Sequence, residues 1–215
     1  QFWKEFRMPP TTKDQPYAKP FDDPRVRQAI VQAIDKQQVL DLVYSGDGIL
    51  THGPILPIYK DWALKEEEAA FDLKKAQDLM GQAGQSGGFS GEMIWASTAP
   101  ELDQIAEVVK QQLAKIKVDL QLKPMELAAY YNQTYSYKYT FSSHTPLISP
   151  KPDENLSSYF GKNSTYYKHY NTEIFDLIDK QSSTVDVEQR KQLVQEVQKK
   201  IVQDYPMSFM FTTNN

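Results

Sequence analysis

Cysteine is absent from all 215 positions of the sequence. This absence excludes disulfide bonds, thiolate zinc sites and a cysteine nucleophile. Long apolar runs are missing as well, because no stretch reaches the roughly 18 residues that a membrane-spanning helix needs. Positive charge is not concentrated anywhere: the formal net charge is -4 and Lys and Arg form no long run. Nothing in the charge pattern therefore indicates a surface for nucleic acid or anionic lipid.

The composition that remains is typical of an ordinary globular protein. Hydrophobic residues make up 40% of the chain and charged residues 24%, which predicts a buried core in one domain or two small ones. The chain opens on Gln1 instead of methionine, followed by the apolar Phe2 and Trp3. We therefore expect an excised or processed fragment.

Helices are predicted where a capping residue precedes an apolar stripe. Asp23 followed by Pro24 is an N-cap with proline at the first helical position, and it predicts a helix through Ile34. Asp35 with Gln38 resembles a capping box that starts a second helix. Helical spacing of apolar residues predicts further helices at 72–83, from Pro100, from Glu126, at 172–182 and at 186–204.

Strands are predicted between these helices. Residues 92–97 form a short apolar run, 118–122 alternate apolar with polar side chains, and 208–213 form a last strand. A further strand would carry one row of side chains on one face: Tyr137, Tyr139, Phe141, Ser143 and Thr145. Strands alternating with helices indicate an open α/β sheet, in which ligands bind at the carboxyl ends of strands.

Proline, glycine and serine mark the connections. Residues 1–20 contain four prolines and no helical period, so they are predicted to be an extended lead-in. Residues 46–57 and 81–91 are predicted to be loops, and so are 146–171, with a turn of helix near Leu156.

The sequence does not support a catalytic serine or a metal site, because the residues around each candidate do not fit. Residues 84–88 match the G-x-S-x-G pattern of hydrolases, but a nucleophile elbow needs a strand before Ser86 and a helix after it. The predicted order is helix, loop, strand, which favours a glycine-rich connection. His52, His144 and His169 are far apart in the sequence and lack the spacing of a metal site. No cofactor and no metal are predicted.

Tyrosine is abundant, with thirteen residues that concentrate between Tyr130 and Tyr170 beside several asparagines. Aromatic rings cover the apolar faces of a neutral polar ligand, while amides and hydroxyls fix its orientation. Alternating rings such as Tyr137 and Tyr139 would also be expected if they pack beneath helices instead of contacting a ligand, so a packing role stays open.

One long motif resembles a known family. The segment PFDDPRVRQAI at residues 20–30, continued by AIDK at 33–36, resembles the most recognisable motif of the family 5 extracellular solute-binding proteins. Further similarities cover nearly the entire chain and follow in the family's order; they lie at 46–57, 71–84, 106–120, 152–155, 170–176 and 189–206.

The resemblance implies the fold and the role. The fold would be α/β, a periplasmic-binding-protein-like (type II) lobe with an open mixed sheet flanked by helices. Residues 1–215 would form a single lobe, the second of the family's two, with the first lobe absent from this chain. Family members close both lobes over peptides, nickel complexes, glutathione or oligosaccharides and deliver them to a membrane permease.

The same resemblance implies the partners. They would be a small-molecule solute, the missing first lobe and the permease of an ABC importer, with no nucleic acid and no covalent chemistry. The protein would be periplasmic or extracellular, and membrane-anchored in its full-length parent.

The ligand class follows from one departure from the family. Peptide-binding members place an aspartate just before a D-P-D-N-like segment, where it pairs with the amino terminus of the ligand. Counting back from Asn155, this sequence has Ser149 and the neighbours TPLISP at 145–150, which contain no carboxylate. A buried ammonium without a carboxylate is costly. Together with the tyrosines and Trp95, this favours an oligosaccharide over an oligopeptide.

The ligand-binding residues are expected after the strand ends. Trp95 or Tyr131 would stack on a face of the ligand, although each expected residue also has an alternative role in packing or capping. Asp153 and Asn155 are expected to be turn and N-cap residues instead of ligands. The expected set is Trp95, Ser97, Tyr131, His144, Thr145 and Ser149.

Three alternative functions stay open. The first is an oligopeptide receptor in which another group holds the amino terminus of the peptide. The second is a regulatory sensor, because family 5 modules also occur behind DNA-binding domains. The third, and least favoured, is a serine hydrolase that uses Ser86.

Overall fold

A computed structural model describes residues 2–9, 17–66, 69–145, 151–164 and 171–213. Within these residues, strands form one mixed sheet of β1 (Phe2–Arg7), β2 (Ile49–Leu50), β3 (Phe89–Ala96), β4 (Val118–Met125), β5 (Phe141–His144) and β6 (Met207–Thr213). The order across the sheet is β2-β6-β1-β5-β3-β4. β3 runs parallel to β4 and β5, whereas β1 is antiparallel to both of its neighbours. The expected α/β class with an open mixed sheet is confirmed.

Helices cover both faces of this sheet, and a short 3₁₀ segment spans Pro57–Trp62. No described helix is long and apolar enough to cross a membrane. The α-helices are α1 (Pro24–Ala33), α2 (Lys36–Tyr44), α3 (Leu73–Gln82), α4 (Pro100–Ala114), α5 (Leu127–Tyr135), α6 (Pro152–Phe160), α7 (Thr172–Ser183) and α8 (Val187–Gln203).

The two predicted N-caps are present. The carboxylate of Asp23 accepts a hydrogen bond from the backbone N–H of Arg25 at 2.9 Å, and that of Asp35 accepts from Gln38 at 3.0 Å. Each cap satisfies a backbone donor that the first turn of a helix leaves without an intrahelical partner. The corner between α1 and α2 is therefore encoded locally.

Two predictions about strands were wrong in extent. Residues 2–7, predicted as part of a lead-in, form the strand β1 inside the sheet. The tyrosine-rich strand begins only at Phe141, because Tyr137 has a φ of 58° and belongs to a turn instead of an extended row. The loop at 46–57 also contributes β2, a two-residue strand that pairs with β6.

The sheet has different cores on its two faces. On the first face, α1 to α4 pack against Phe6, Trp95 and Phe141. On the second face, Tyr130 of α5 packs on Ile94, and α6 to α8 pack on the Met207 end of β6. Successive side chains of a strand point to opposite faces, so Glu5 and Arg7, which flank Phe6, lie on the second face, where they form an ion pair.

A glycine fixes where β3 and β4 begin. Gly88 has a φ of +72°, and a Cβ at this position would lie 1.8 Å from the carbonyl oxygen of Lys117. Only glycine combines this backbone conformation with so close an approach. The pairing of Phe89 with Val118 follows directly, and it continues to Ala96 and Met125 at the other end of both strands.

Arg27 joins α1 to the end of α8. Its side chain is 4% exposed, stacks 4.1 Å from the ring centre of Tyr17, and donates to the backbone carbonyl of Phe21 at 2.7 Å. It also donates to the carboxylate of Asp204 at 2.6 Å and to the backbone carbonyl of that residue at 2.8 Å. Arg25, on the same helix, pairs with Asp23 in an exposed position.

We expect Arg27→Met to lower the free energy of unfolding by about 2–4 kcal/mol, because a buried donor set is lost and its acceptors keep no replacement. Arg25→Met is the matched control, since it breaks an ion pair that water already screens. Urea unfolding followed by circular dichroism measures both variants. Equal losses in the two variants would contradict the assigned role of Arg27.

Candidate functional site

Several loops meet at one edge of the sheet, called here the carboxyl edge. It consists of the carboxyl ends of β3, β4, β5 and β6 together with the amino ends of β1 and β2, as the pairing directions require. Ile94 pairs with Ser142, so Ala96 and His144 lie at the same level, and Glu5 pairs directly with His144.

Four of the predicted ligand-binding residues come together here. Ser97 is exposed directly after β3, and its backbone N–H donates to the carbonyl of Met125 at 2.8 Å. His144 ends β5, Thr145 follows it, and both are half-buried. Tyr131 of α5 lies with its ring edge-on to His144, at 6.4 Å between ring centres. Ser149 lies outside the described residues.

Trp95 does not present a face to a ligand. The residue is 2% exposed and belongs to the core on the first face of the sheet. Its indole Nε1–H donates to a carboxylate oxygen of Asp103, in the first turn of α4, at 2.6 Å. The alternation of a strand points Trp95 towards α4 and Ala96 away from it, so the predicted stacking role is replaced by packing.

Tyr135 supplies the exposed ring that Trp95 lacks. It is 46% exposed and stacks on Tyr131 with 5.5 Å between ring centres and 12° between planes. The two rings are four residues apart in α5, the spacing at which helical side chains are neighbours. The helix was predicted, so this spacing was a signal that could have identified the pair.

A buried lysine ties β1 to the start of α4 and to the loop after β5, both at the carboxyl edge. Lys4 is 1% exposed, and its Nζ donates to Glu101 Oε1 at 2.8 Å and to Thr145 Oγ1 at 3.1 Å. Partial burial alone would raise the pKa of the Glu101 carboxyl, but the hydrogen bond and the charge of Lys4 hold it below its usual value. Lys4 therefore fixes the position of Thr145.

Sequence reasoning missed both charged residues of this contact. Glu101 stands in the first turn of the helix that follows a predicted strand, which was a usable signal because such turns meet the carboxyl edge. Lys4 gave no signal, since its segment was not predicted to be a strand.

A second polar group surrounds Tyr130, which is 1% exposed. Its hydroxyl lies 3.0 Å from the carbonyl oxygen of Ser143, 3.4 Å from Ser142 Oγ and 3.2 Å from His144 Nδ1. Burial raises the pKa of Tyr130 to about 12, although Arg7 opposes the rise. Burial, aided by the positive charge of Arg7, lowers the pKa of His144 well below its usual value.

The remaining candidates lie away from this edge. Ser86 is exposed in the loop before β3, at the opposite edge of the sheet, and its carbonyl accepts from Lys117. Asp153 forms an ion pair with Arg190, and Asn155 is buried. Both belong to the first turn of α6, whose N-cap is Lys151, so the N-cap prediction for Asn155 was wrong.

Two recesses also lie elsewhere. One of about 370 Å³ lies between Ala63 and α8, and one of about 280 Å³ lies between Met80 and Lys117. Neither contains a residue that was expected to bind ligand. Across the described ranges, no three acidic or histidine side chains converge as a metal site.

Comparison with known proteins identifies the family. The family model described as bacterial extracellular solute-binding proteins, family 5 Middle, matches residues 6–168. The chain therefore belongs to the family 5 extracellular solute-binding proteins.

Three similar proteins illustrate the range of relatives. The glutathione-binding protein GsiB of Pectobacterium atrosepticum is 32% identical over 108 residues, 50% of this chain and 21% of the relative. The oligopeptide-binding protein AppA of Bacillus subtilis is 26% identical over 215 residues, 91% of this chain and 39% of the relative. The solved structure of periplasmic DppA from Helicobacter pylori, in complex with the peptide STSA, superposes with a TM-score of 0.84 at 24% identity.

These alignments also define how much of each relative is matched. The DppA superposition covers 97% of this chain and 41% of that structure. The chain therefore spans no more than about two fifths of the length of the relatives described above.

We expect Glu101→Gln to lower the free energy of unfolding at pH 7 by about 1–3 kcal/mol, because Lys4 keeps its buried charge without a carboxylate partner. The folded-state pKa of Glu101 lies below 4.5, so its contribution is present above that pH and is lost as the pH falls through the folded-state value. The difference between wild type and variant should therefore shrink below pH 4.5.

Urea unfolding at pH 7 and at decreasing pH measures this difference. Glu92→Gln is the control, since it breaks the exposed pair with Lys123 and should change stability little. A loss for Glu101→Gln that stays constant down to pH 3 would contradict the assigned ion pair.

Proposed function

We propose that this chain is the ligand-closing lobe of a two-lobe substrate-binding protein of an ABC importer. A first lobe would hold the solute, and the carboxyl edge described above would close over it without making or breaking covalent bonds. The proposal rests on one observation above all: Ser97 directly after β3, and His144 and Thr145 at the end of β5, lie at the same edge of the sheet, where open α/β sheets bind ligands.

The share of each relative that the chain matches supports the two-lobe arrangement. This share is 39% of the AppA chain of Bacillus subtilis, for example, which agrees with one lobe of two.

An oligopeptide is the solute class that the relatives favour. The similar proteins named above are described as binding glutathione, oligopeptides and the peptide STSA. An oligosaccharide, which the sequence alone favoured, is the second candidate. The stacked pair of Tyr131 and exposed Tyr135 supports it, because flat rings cover the apolar faces of sugars.

The proposed cellular setting follows the family. We propose a periplasmic or extracellular protein, membrane-anchored in its full-length form, that delivers solute to an ABC permease. A regulatory sensor, the alternative function noted above, would use the same lobe and the same carboxyl edge. A DNA-binding domain encoded in the parent reading frame would distinguish a sensor from a transport protein.

Titration of the ¹⁵N-labelled chain with tetra-alanine and with cellotetraose tests the binding site. One lobe offers only part of the contacts, so we expect a Kd on the order of 1 mM, equivalent to about -4 kcal/mol. Saturable amide shifts should appear at Ser97, Tyr131, His144 and Thr145 with one of the probes. Shifts confined to the recess between Met80 and Lys117, or none with either probe, would contradict the proposal.

Ser86→Ala tests the hydrolase alternative. We expect the variant to give the same shifts as wild type, because Ser86 lies at the opposite edge of the sheet from the proposed site. Chromatography of both probes after prolonged incubation should show them intact. Cleavage by wild type that disappears in the variant would establish catalysis and refute a purely binding role.

A further inference from the structure

The hydroxyl of Tyr130 has three polar neighbours and one proton. Its contact with the carbonyl oxygen of Ser143, at 3.0 Å, works in one direction only, because a carbonyl oxygen carries no hydrogen. Two oxygen atoms at this distance without a proton between them would repel each other. The phenol proton is therefore donated to Ser143.

The other two contacts must then be donated to Tyr130. The phenol oxygen keeps two lone pairs once its proton points to Ser143. One faces Ser142 Oγ at 3.4 Å and one faces His144 Nδ1 at 3.2 Å. All three contacts are satisfied together when the serine hydroxyl and an Nδ1–H are the donors.

The tautomer of His144 follows from this proton count. A neutral imidazole carries one N–H, and the hydrogen bond made by one ring nitrogen decides the state of the other. With the proton on Nδ1, the second nitrogen, Nε2, keeps its lone pair. The described residues provide no hydrogen-bond partner for Nε2.

His144 lies where Nε2 could contact a solute. The residue ends β5 at the carboxyl edge and is half-buried. One face of its ring stacks on Tyr130, with 5.9 Å between centres, and Tyr131 meets it edge-on. The ring is therefore held by neighbours on two sides.

We propose that Tyr130 is a positioning residue that fixes His144 as the Nδ1–H tautomer, so that Nε2 accepts a hydrogen bond from a hydroxyl or amide N–H of the solute. This inference rests on the proposed function, because it says which solute groups, hydroxyls and amide N–H groups, the proposed site would bind at His144.

Charges around His144 support a neutral acceptor. The groups that face it are Arg7 and Glu5 on β1, which pair with each other, and the hydroxyl of Tyr130 and the ring of Tyr131 on α5. Burial and the charge of Arg7 both lower the pKa of the imidazole. A solute carboxylate, which can only accept, would meet the Nε2 lone pair and be disfavoured.

The tautomer is measured directly in the free chain. In long-range ¹H–¹⁵N correlation spectra of the protein labelled at histidine, we expect a protonated Nδ1 and an unprotonated Nε2 for His144 at pH 7. Tyr130→Phe should move the population towards the Nε2–H tautomer, because Nδ1–H loses its acceptor. Tyr139→Phe is the control, since that neighbouring ring makes no described hydrogen bond to His144, and it should leave the spectrum of His144 unchanged.

The solute contact is measured with tetra-alanine and cellotetraose. Glutamine carries its amide oxygen to the position of Nε2, whereas asparagine reaches only the position of Nδ1. We expect His144→Gln to bind within about twofold of wild type and His144→Asn to bind roughly threefold to tenfold more weakly, as the loss of one hydrogen bond requires.

The three measurements test the tautomer of His144, its contact with the solute and the proposed function separately. An Nε2–H tautomer in wild type, or a spectrum that Tyr130→Phe leaves unchanged, overturns this inference while leaving the proposed function intact. Equal binding by the Gln and Asn variants overturns the solute contact. Absence of shifts with both probes in wild type overturns the proposed function, and the solute contact with it.

Discussion

The pairing of β1 with both of its neighbours is the constraint on which the sheet depends. This strand bonds to β5 on one side and to β6 on the other, so it joins the half of the sheet that contains β3 and β4 to the half that contains β2. Its Phe6 stacks on Phe141 in the core of the first face. Its register also sets Glu5 opposite His144, which gives the carboxyl edge its geometry.

The side chains that we propose to contact the solute are held by regular elements instead of by loops alone. The close approach of Gly88 to Lys117 sets the register of β3 and β4, and this register carries Ser97 to the level of Met125. Lys4 reaches from β1 to Glu101 and Thr145. Tyr130 reaches from α5 to the end of β5. If solute binds at this edge as proposed, a site fixed by such contacts would need little rearrangement to meet it.

The features that could be predicted from the sequence are those that depend on residues close together in the chain. Asp23 and Asp35 cap helices within a few residues of themselves, so short-range patterns identified α1 and α2. The motif at residues 20–36 indicated the class of protein, which the match to the family model confirmed. The prediction failed for β1, because the four prolines that indicated a lead-in all follow residue 8, and because Lys4, Glu5 and Arg7 of this strand are buried. Glu5 and Arg7 pair with each other, whereas Lys4 pairs with Glu101, which is 97 residues away and which only the fold brings close. Trp95 was misassigned because the direction of a strand side chain depends on register.

The charges of β1 also affect the chain before it is folded. Ribosomes deliver residues 2–7 long before β5 and β6, the segments with which they pair. During that interval an apolar strand would pair with other nascent chains, since unpaired strand edges drive aggregation. Three charged residues in a six-residue strand act as gatekeepers against such contacts. The strand that joins the two halves of the finished sheet is thus expected to aggregate less before the strands on either side of it are synthesised.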